Sequence, residues 1–355
     1  MKEKRRSNRK KSVLIGICAG VFLAVGLTAA YFLTPDREYY MGQRRAAPEK
    51  TPVPTGTFIQ PWYCADWTEN DFAAHFECLR ALGTDKLIIQ WTADTPEGKI
   101  RMVYYDTELP ESCFAENAVR YPAMLENCLS AAQKTGVQVF IGLNLADEWW
   151  DFAVKDAAWR EKQSALSAAM AKEIHTLYGE KYPDAFHGWY WAWELTNGFQ
   201  GAEAAAELLN SDLAALDALE PALPLLFSPF NSKNSGYKSA EREWTEFFAQ
   251  VRFRPGDIFC LQDAIGAEWI GFDDLDFYYA AAKRAVQTKP ELVFWANCEN
   301  FTKDYRPADV GRFRRQLDTA ALYADEIVSF SLSHYYLNPE FGAEPQKSYR
   351  ALCGA

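Results

Sequence analysis

The sequence predicts an α/β fold, a (β/α)8 barrel preceded by one N-terminal transmembrane helix, on three observations. Eight short apolar runs alternate with seven stretches of helical periodicity over roughly 280 residues, the order and size of a closed parallel barrel. Polar side chains collect at the C-terminal ends of those runs, where such a barrel carries its chemistry. The first run leads into Gln60-Pro61-Trp62-Tyr63 and not into a glycine-rich turn. That disfavours the runner-up, an open doubly wound sheet, and argues against a nucleotide site.

The elements follow in order. Residues 56–61 form a first strand. Residues 69–82 have helical spacing (Phe72, Phe76, Leu79, Leu82), with Asp71 near the start and Gly83 as the stop. Residues 87–91 are a second strand, and a long loop runs on to Arg120. Helix 122–134, closed by Gly136, leads into strand 137–144. Helix 157–178 leads into strand 188–194, and the alanine-rich helix 202–219 stops before Pro221 and strand 224–230. Helix 240–251, strand 257–262, helix 274–287 and strand 290–301 follow, then helix 308–323 and strand 326–332. Along the seventh strand, alternation places Val293, Trp295, Asn297 and Glu299 on one face.

Four segments divide the chain. Residues 1–12 are a basic tail expected in the cytoplasm. Residues 13–33 carry no charge and are long enough to span a bilayer. The basic flank places the body outside, so the expectation is a single-pass cell-membrane protein with an extracytoplasmic barrel. A cleaved signal peptide competes, but no clean A-x-A site follows the run. Residues 34–54 read as a polar tether, and residues 55–355 as the barrel domain.

The 355 residues are 49% hydrophobic and 15% aromatic, ample for one large core. Taking the +6 of residues 1–12 from the net −11 leaves −17 on the rest, which argues against nucleic acid as a partner. Seven cysteines lie beyond the apolar run without C-x-x-C spacing, so neither a disulfide framework nor a zinc site is indicated. Cys260 and Cys298 fall within strands, as small buried hydrophobes. No cofactor and no metal is expected.

The strand ends carry Gln60, Gln90, Asn144, Glu194, Gln262 with Asp263, and Asn297 with Glu299; Asn231 follows the fifth strand and His334, Tyr335 and Tyr336 the eighth. A ring of buried polar groups is costly unless a ligand or water satisfies it. Two of them are glutamates, on the fourth and seventh strands. A retaining glycosidase needs two carboxyls about 5–5.5 Å apart, one as nucleophile and one as acid/base. Trp62, Tyr63, Trp91, Trp149, Trp150, Trp193, Trp295, Tyr335 and Tyr336 lie nearby, and sugar rings stack their C–H faces on such surfaces. Alternation sends Trp189, Trp191 and Trp193 toward the helices, opposite Glu194, and so to packing.

Gly56-Thr57-Phe58-Ile59-Gln60, Leu87-Ile88-Ile89-Gln90-Trp91, Gln262-Asp263 and Trp295-Ala296-Asn297-Cys298-Glu299-Asn300-Phe301 resemble segments of an uncharacterised bacterial group of glycosyl-hydrolase-like barrels, a domain of unknown function. The likeness spans about residues 55–340. The layout resembles the wider superfamily of TIM-barrel glycoside hydrolases with catalytic glutamates on strands four and seven. That resemblance implies Glu194 as acid/base and Glu299 as nucleophile. The polar strand ends and nearby aromatics give an expected substrate-binding set of Gln60, Trp62, Gln90, Trp91, Asn144, Asp263, Trp295, Asn297 and Tyr335. One departure stands out: the superfamily places Asn directly before the acid/base, and this chain has Trp193 there, with Asn197 three residues later.

No G-x-S-x-G elbow and no H-E-x-x-H occurs. The sequence therefore points to a membrane-tethered retaining glycoside hydrolase with a carbohydrate substrate. Its rival is a non-catalytic saccharide-binding barrel of the cell envelope. Fold alone does not separate the two.

Overall fold

The computed structural model describes residues 37–354. The expected basic tail and the membrane span at 13–33 lie outside them. Among the described residues, no helix is long and apolar enough to cross a membrane. Residues up to Gly42 form a unit of their own, of which the helix Arg37–Met41 is described. Residues from Gln43 onward form the second unit.

That unit is an eight-stranded closed parallel barrel. Its strands are β1 (Gly56–Ile59), β2 (Lys86–Ile89), β3 (Gln138–Gly142), β4 (Phe186–Trp191), β5 (Leu225–Phe227), β6 (Ile258–Gln262), β7 (Val293–Glu299) and β8 (Glu326–Phe330). Each pairs with its neighbours in sequence, and β8 closes on β1 through Gly56 opposite Val328. The connecting helices are α1 (Glu69–Ala81), α2 (Met124–Thr135), α3 (Ala157–Tyr178), α4 (Ala202–Leu219), α5 (Tyr237–Gln250), α6 (Phe272–Gln287) and α7 (Val310–Ala320).

Local chemistry sets the boundaries. Thr68 and Asp71 close a capping box at α1, each side chain taking the other's backbone N–H. Asp156 and Asp309 cap α3 and α7 from the N-cap position, their side chains accepting the Ala158 and Arg312 N–H groups. Gly136 ends α2 at φ +70°, a conformation that spares glycine the Cβ clash.

The barrel interior is a packed core. Phe58, Ile88, Phe140, Tyr190, Leu226 and Trp295 meet inside it, with Cys260 and Val328. The alternation on β4 holds: Tyr190 and Ala192 face this core, while Trp191 reaches outward to Asp212 on α4 at 2.9 Å. Cys260 and Cys298 are both fully buried.

Three features differ from the sequence reading. The loop between β2 and α2 contains strands. Ala93–Asp94, Ile100–Val103 and Phe114–Arg120 join Asn144–Leu145 in a small four-stranded sheet. Two-residue strands are too short to show a period. A further helix, α8 (Ala343–Cys353), follows the barrel; only Tyr349 of it is buried, so its pattern is faint. Residues 43–54, read as a tether, run along the helical shell: Arg44 pairs with Asp276 at 2.7 Å, and the Arg45 N–H donates to Leu322 O.

Candidate active site

The strand ends surround one cavity of about 790 Å³, toward the upper end of ligand clefts, which run from about 300 to 1,000 Å³. Glu194 and Glu299 both line it, with Gln60, Trp62, Gln90 and Tyr335. Five expected residues do not. Trp295 lies two pleat repeats inside Glu299, edge-on to Phe140 at 5.9 Å, as part of the core. Asn297 is 1% exposed and donates to Ser228 Oγ at 3.1 Å. Trp91 packs against the barrel core. Asn144 donates to Gln163 Oε1 on α3 at 2.8 Å, because the chain leaves the barrel after Gly142 to join the small sheet. Asp263 sits behind Glu299.

Glu299 ends β7 and is 3% exposed. The turn after β6 is folded around it. Ala264 and Glu268 both take positive φ, and the Trp269 N–H closes the turn on Ala264 O at 3.0 Å. This aims two backbone amides at the carboxylate: Ala267 N–H donates to Oε2 at 2.9 Å, and Gly266 N–H adds a second donor. Gly266 has no room for more, since a Cβ there would stand 2.9 Å from Glu299 Oε2 and 2.7 Å from Phe301 O. Burial pushes the Glu299 carboxyl up, the charge of Asp263 adds to that, and the two amides pull it back.

Asp263 is held by four donors. Ile265 N–H and Glu299 N–H donate to Oδ1 at 3.1 and 3.3 Å, Gln316 Nε2 to Oδ2 at 2.6 Å, and the Cys298 thiol also donates. Burial nonetheless raises its carboxyl above the usual range. Gln316 also donates to Glu299 O at 2.8 Å, and Arg312 donates to Glu299 O and Phe301 O. The α7 helix therefore fixes the end of β7 from outside.

Glu194 follows β4. Gln262 Nε2 donates to its Oε1 at 3.0 Å and to Ser228 O at 2.6 Å. The Trp149 indole donates to Glu194 O at 2.7 Å, clamping the backbone. Burial raises the Glu194 carboxyl to about 7, against the pull of the Gln262 amide. Trp193 points away and packs against Trp149 and Trp159 at 5.3 Å. Neither asparagine nearby is free to replace it: Asn197 is bound to Ser232 and Ser235, and Asn144 to Gln163. Gln90 has a buried Oε1 without a hydrogen-bond partner on the cavity wall.

His334 is 7% exposed, and its Nε2 accepts the Gln60 N–H at 3.0 Å. Burial pulls it down to about 4, so the ring is neutral at pH 7. Phe301, Tyr335 and Phe341 stack in series along one wall, with Tyr305 on the outer face of Phe301. The expected site set omitted Trp150, Gln262, Trp269, Tyr305 and His334, which also line the cavity. Trp269 and Tyr305 lie in loops without period, where only residue type could have flagged them. Among the described residues, no group of three or more His, Cys, Asp or Glu side chains is arranged to hold a metal.

Comparison with known proteins agrees with this architecture. The model of a family described as a domain of unknown function, DUF4434, matches residues 55–343. The chain is similar to a candidate alpha-L-fucosidase from Bacteroides thetaiotaomicron VPI-5482, at 22% identity and TM-score 0.70, over 88% of this chain and 96% of that one. It is also similar to a beta-galactosidase from the psychrophilic Marinomonas ef1, at 9% identity and TM-score 0.53, over 85% of this chain and 59% of that one. At these identities the likeness is one of fold. No curated protein matches the sequence.

Proposed function

The chain belongs to the DUF4434 family, and for it we propose a membrane-anchored, extracytoplasmic glycoside hydrolase that retains anomeric configuration. One observation carries the reading. Glu194 and Glu299, from β4 and β7 of an eight-stranded barrel, line a single cavity, and the charge of Glu194 is felt at Glu299. The structural likeness to proteins described as a fucosidase and a galactosidase supports the same class.

Burial lifts both carboxyls, Glu299 to about 8 and Glu194 to about 7, so the roles are assigned from the strand each follows and from its hydrogen bonds. Glu299 accepts two backbone N–H groups, donors that favour its ionised form, and acts as nucleophile. Glu194 is raised into the neutral range and has only a side-chain amide for partner. It donates a proton to the leaving oxygen, then removes one from the water that releases the sugar. The anchor is the apolar run at 13–33, with the basic residues before it holding the N-terminus inside.

The test is a screen of the full chain against glycans beside Glu194→Gln and Glu299→Gln. Turnover in the parent, lost in both variants, with proton NMR of the first product showing the anomer unchanged, is expected. Activity that survives Glu299→Gln, or an inverted first product, overturns the proposal.

A second reading has its own observation. Trp193 faces away from the cavity, and Asn144 and Asn197 are both engaged elsewhere. The hydroxyl-binding Asn of the resembled superfamily is thus unmatched, which favours a saccharide-binding barrel without turnover. Binding that survives both substitutions, with no cleavage by the parent, selects that reading.

A further inference from the structure

The cavity is polar at its floor and aromatic at its rim, and it lacks positive charge. Three of the twelve tryptophans are exposed, Trp62 at 57%, Trp150 at 52% and Trp269 at 46%, and all three line this cavity. Tyr305, 73% exposed, joins them. Large rings left in water at one place mark a binding surface, since elsewhere this chain buries its tryptophans wholly or in part.

The rings do not sit on one side. Trp62 follows β1, Trp150 follows β3, Trp269 follows β6 and Tyr305 follows β7. Strands three and seven face each other across an eight-stranded ring. Platforms thus flank the two carboxylates on opposed walls. A single terminal sugar needs one platform beside the cut; opposed platforms suit a chain that continues both ways.

Charge narrows the ligand further. The lining holds Glu194, Glu299 and Glu340, with no Lys or Arg, and His334 is held neutral by its Gln60 contact and burial. The guanidinium of Arg306 lies 5.7 Å from the Phe341 ring and is not part of the lining. A uronate or sulfate in this cleft meets like charge and finds no guanidinium or ammonium to pair with, a costly arrangement in a partly desolvated site. Hydroxyls find acceptors, Gln90 Oε1 among them.

Resting on the hydrolase reading above, we infer that the cleft takes an uncharged glycan chain of several residues, lying across the aromatic rim and cut within its length, and that it rejects chains bearing carboxylate or sulfate groups.

The test uses the full chain carrying Glu299→Gln, so that binding is read without turnover. Isothermal titration compares neutral hexose and pentose oligosaccharides, as di- and hexasaccharides, with oligouronates of equal length. A neutral hexasaccharide should bind at least tenfold more tightly than its disaccharide, with no oligouronate binding. Trp150→Ala and Trp269→Ala should each weaken the hexasaccharide on the order of tenfold, a loss that grows with chain length. Both side chains are about half exposed, and circular dichroism of each variant checks that it folds as the parent does. Oligouronates bound as tightly as neutral chains, equal affinity for di- and hexasaccharide, or no glycan bound at all each overturn the inference. If the variant binds the neutral chain but the parent does not cut it, the hydrolase reading falls and internal cutting falls with it, while the selection of a long uncharged chain by the aromatic rim stands.

Discussion

The backbone N–H of Glu299 donates to the carboxylate of Asp263 at 3.3 Å, which sets two buried acids back to back at the ends of adjacent strands. Only Glu299 reaches the cavity. Asp263 acts on Glu299 through its charge.

That relationship predicts a pH effect. Asp263 raises the proton affinity of Glu299, and in its proposed role as nucleophile Glu299 must be ionised. Activity should therefore rise with pH as Glu299 loses its proton. Asp263→Asn removes the repelling charge, lowers the Glu299 pKa and moves that rising limb to lower pH. The measurement is kcat/KM against pH. A limb that stays in place, or moves upward, contradicts the assignment.

Stability should show the same linkage. In the unfolded chain the glutamates titrate near about 4.3. In the folded protein Glu299 is raised, and Glu194 lies at about 7. The folded state then binds more protons, so their contribution is full at low pH and fades as pH rises through that window. Glu299→Gln should raise Tm at pH 8, by roughly 2–4 °C for each kcal/mol recovered, and change it little at pH 4. Thermal melts of parent and variant that coincide at both pH values count against it.

Gly266→Ala should disarm the site without unfolding the barrel. The new Cβ would stand 2.9 Å from Glu299 Oε2, and the nearer obstacle is the backbone oxygen of Phe301. The turn must shift and carry its two amides with it. Misplacement of a reacting group by an ångström costs on the order of 100-fold in rate. The check is kcat beside circular dichroism; an unchanged kcat shows that the turn does not position Glu299.

Gln316→Leu tests the outer brace. Its Nε2 serves Asp263 and Glu299 O together, fully buried. Leucine keeps the volume and leaves both acceptors without that donor, at a cost of about 1–3 kcal/mol. Urea unfolding should report that loss. A midpoint equal to the parent's shows that water replaces the amide.

Much of this was legible because strands of period two and helices of period 3.6 leave distinct marks. Glu194 and Glu299 follow from counting strands and alternating side chains. Asn144 shows where the method fails: it ends its apolar run, but β3 stops at Gly142, so the side chain belongs to a different sheet. The Gly142 position itself explains the close approach there, since a Cβ would lie 2.3 Å from Gln90 O. The amides of Gly266 and Ala267 leave no side-chain signature, and Trp149 and Trp150 are indistinguishable in sequence although one is buried and one exposed. Gln316 reads as a surface helix residue until α7 is placed against β7.

In the proposed acid role of Glu194, the amide of Gln262 decides where the acid's proton sits. Its Nε2 is committed to two acceptors, Glu194 Oε1 and Ser228 O, so turning the amide over would break both bonds. An oxygen that accepts from N–H is a poor seat for a proton of its own. The acidic hydrogen is thereby directed to Oε2, on the other side of the carboxyl, and the direction from which a leaving group must approach is written into a residue on the neighbouring strand but one.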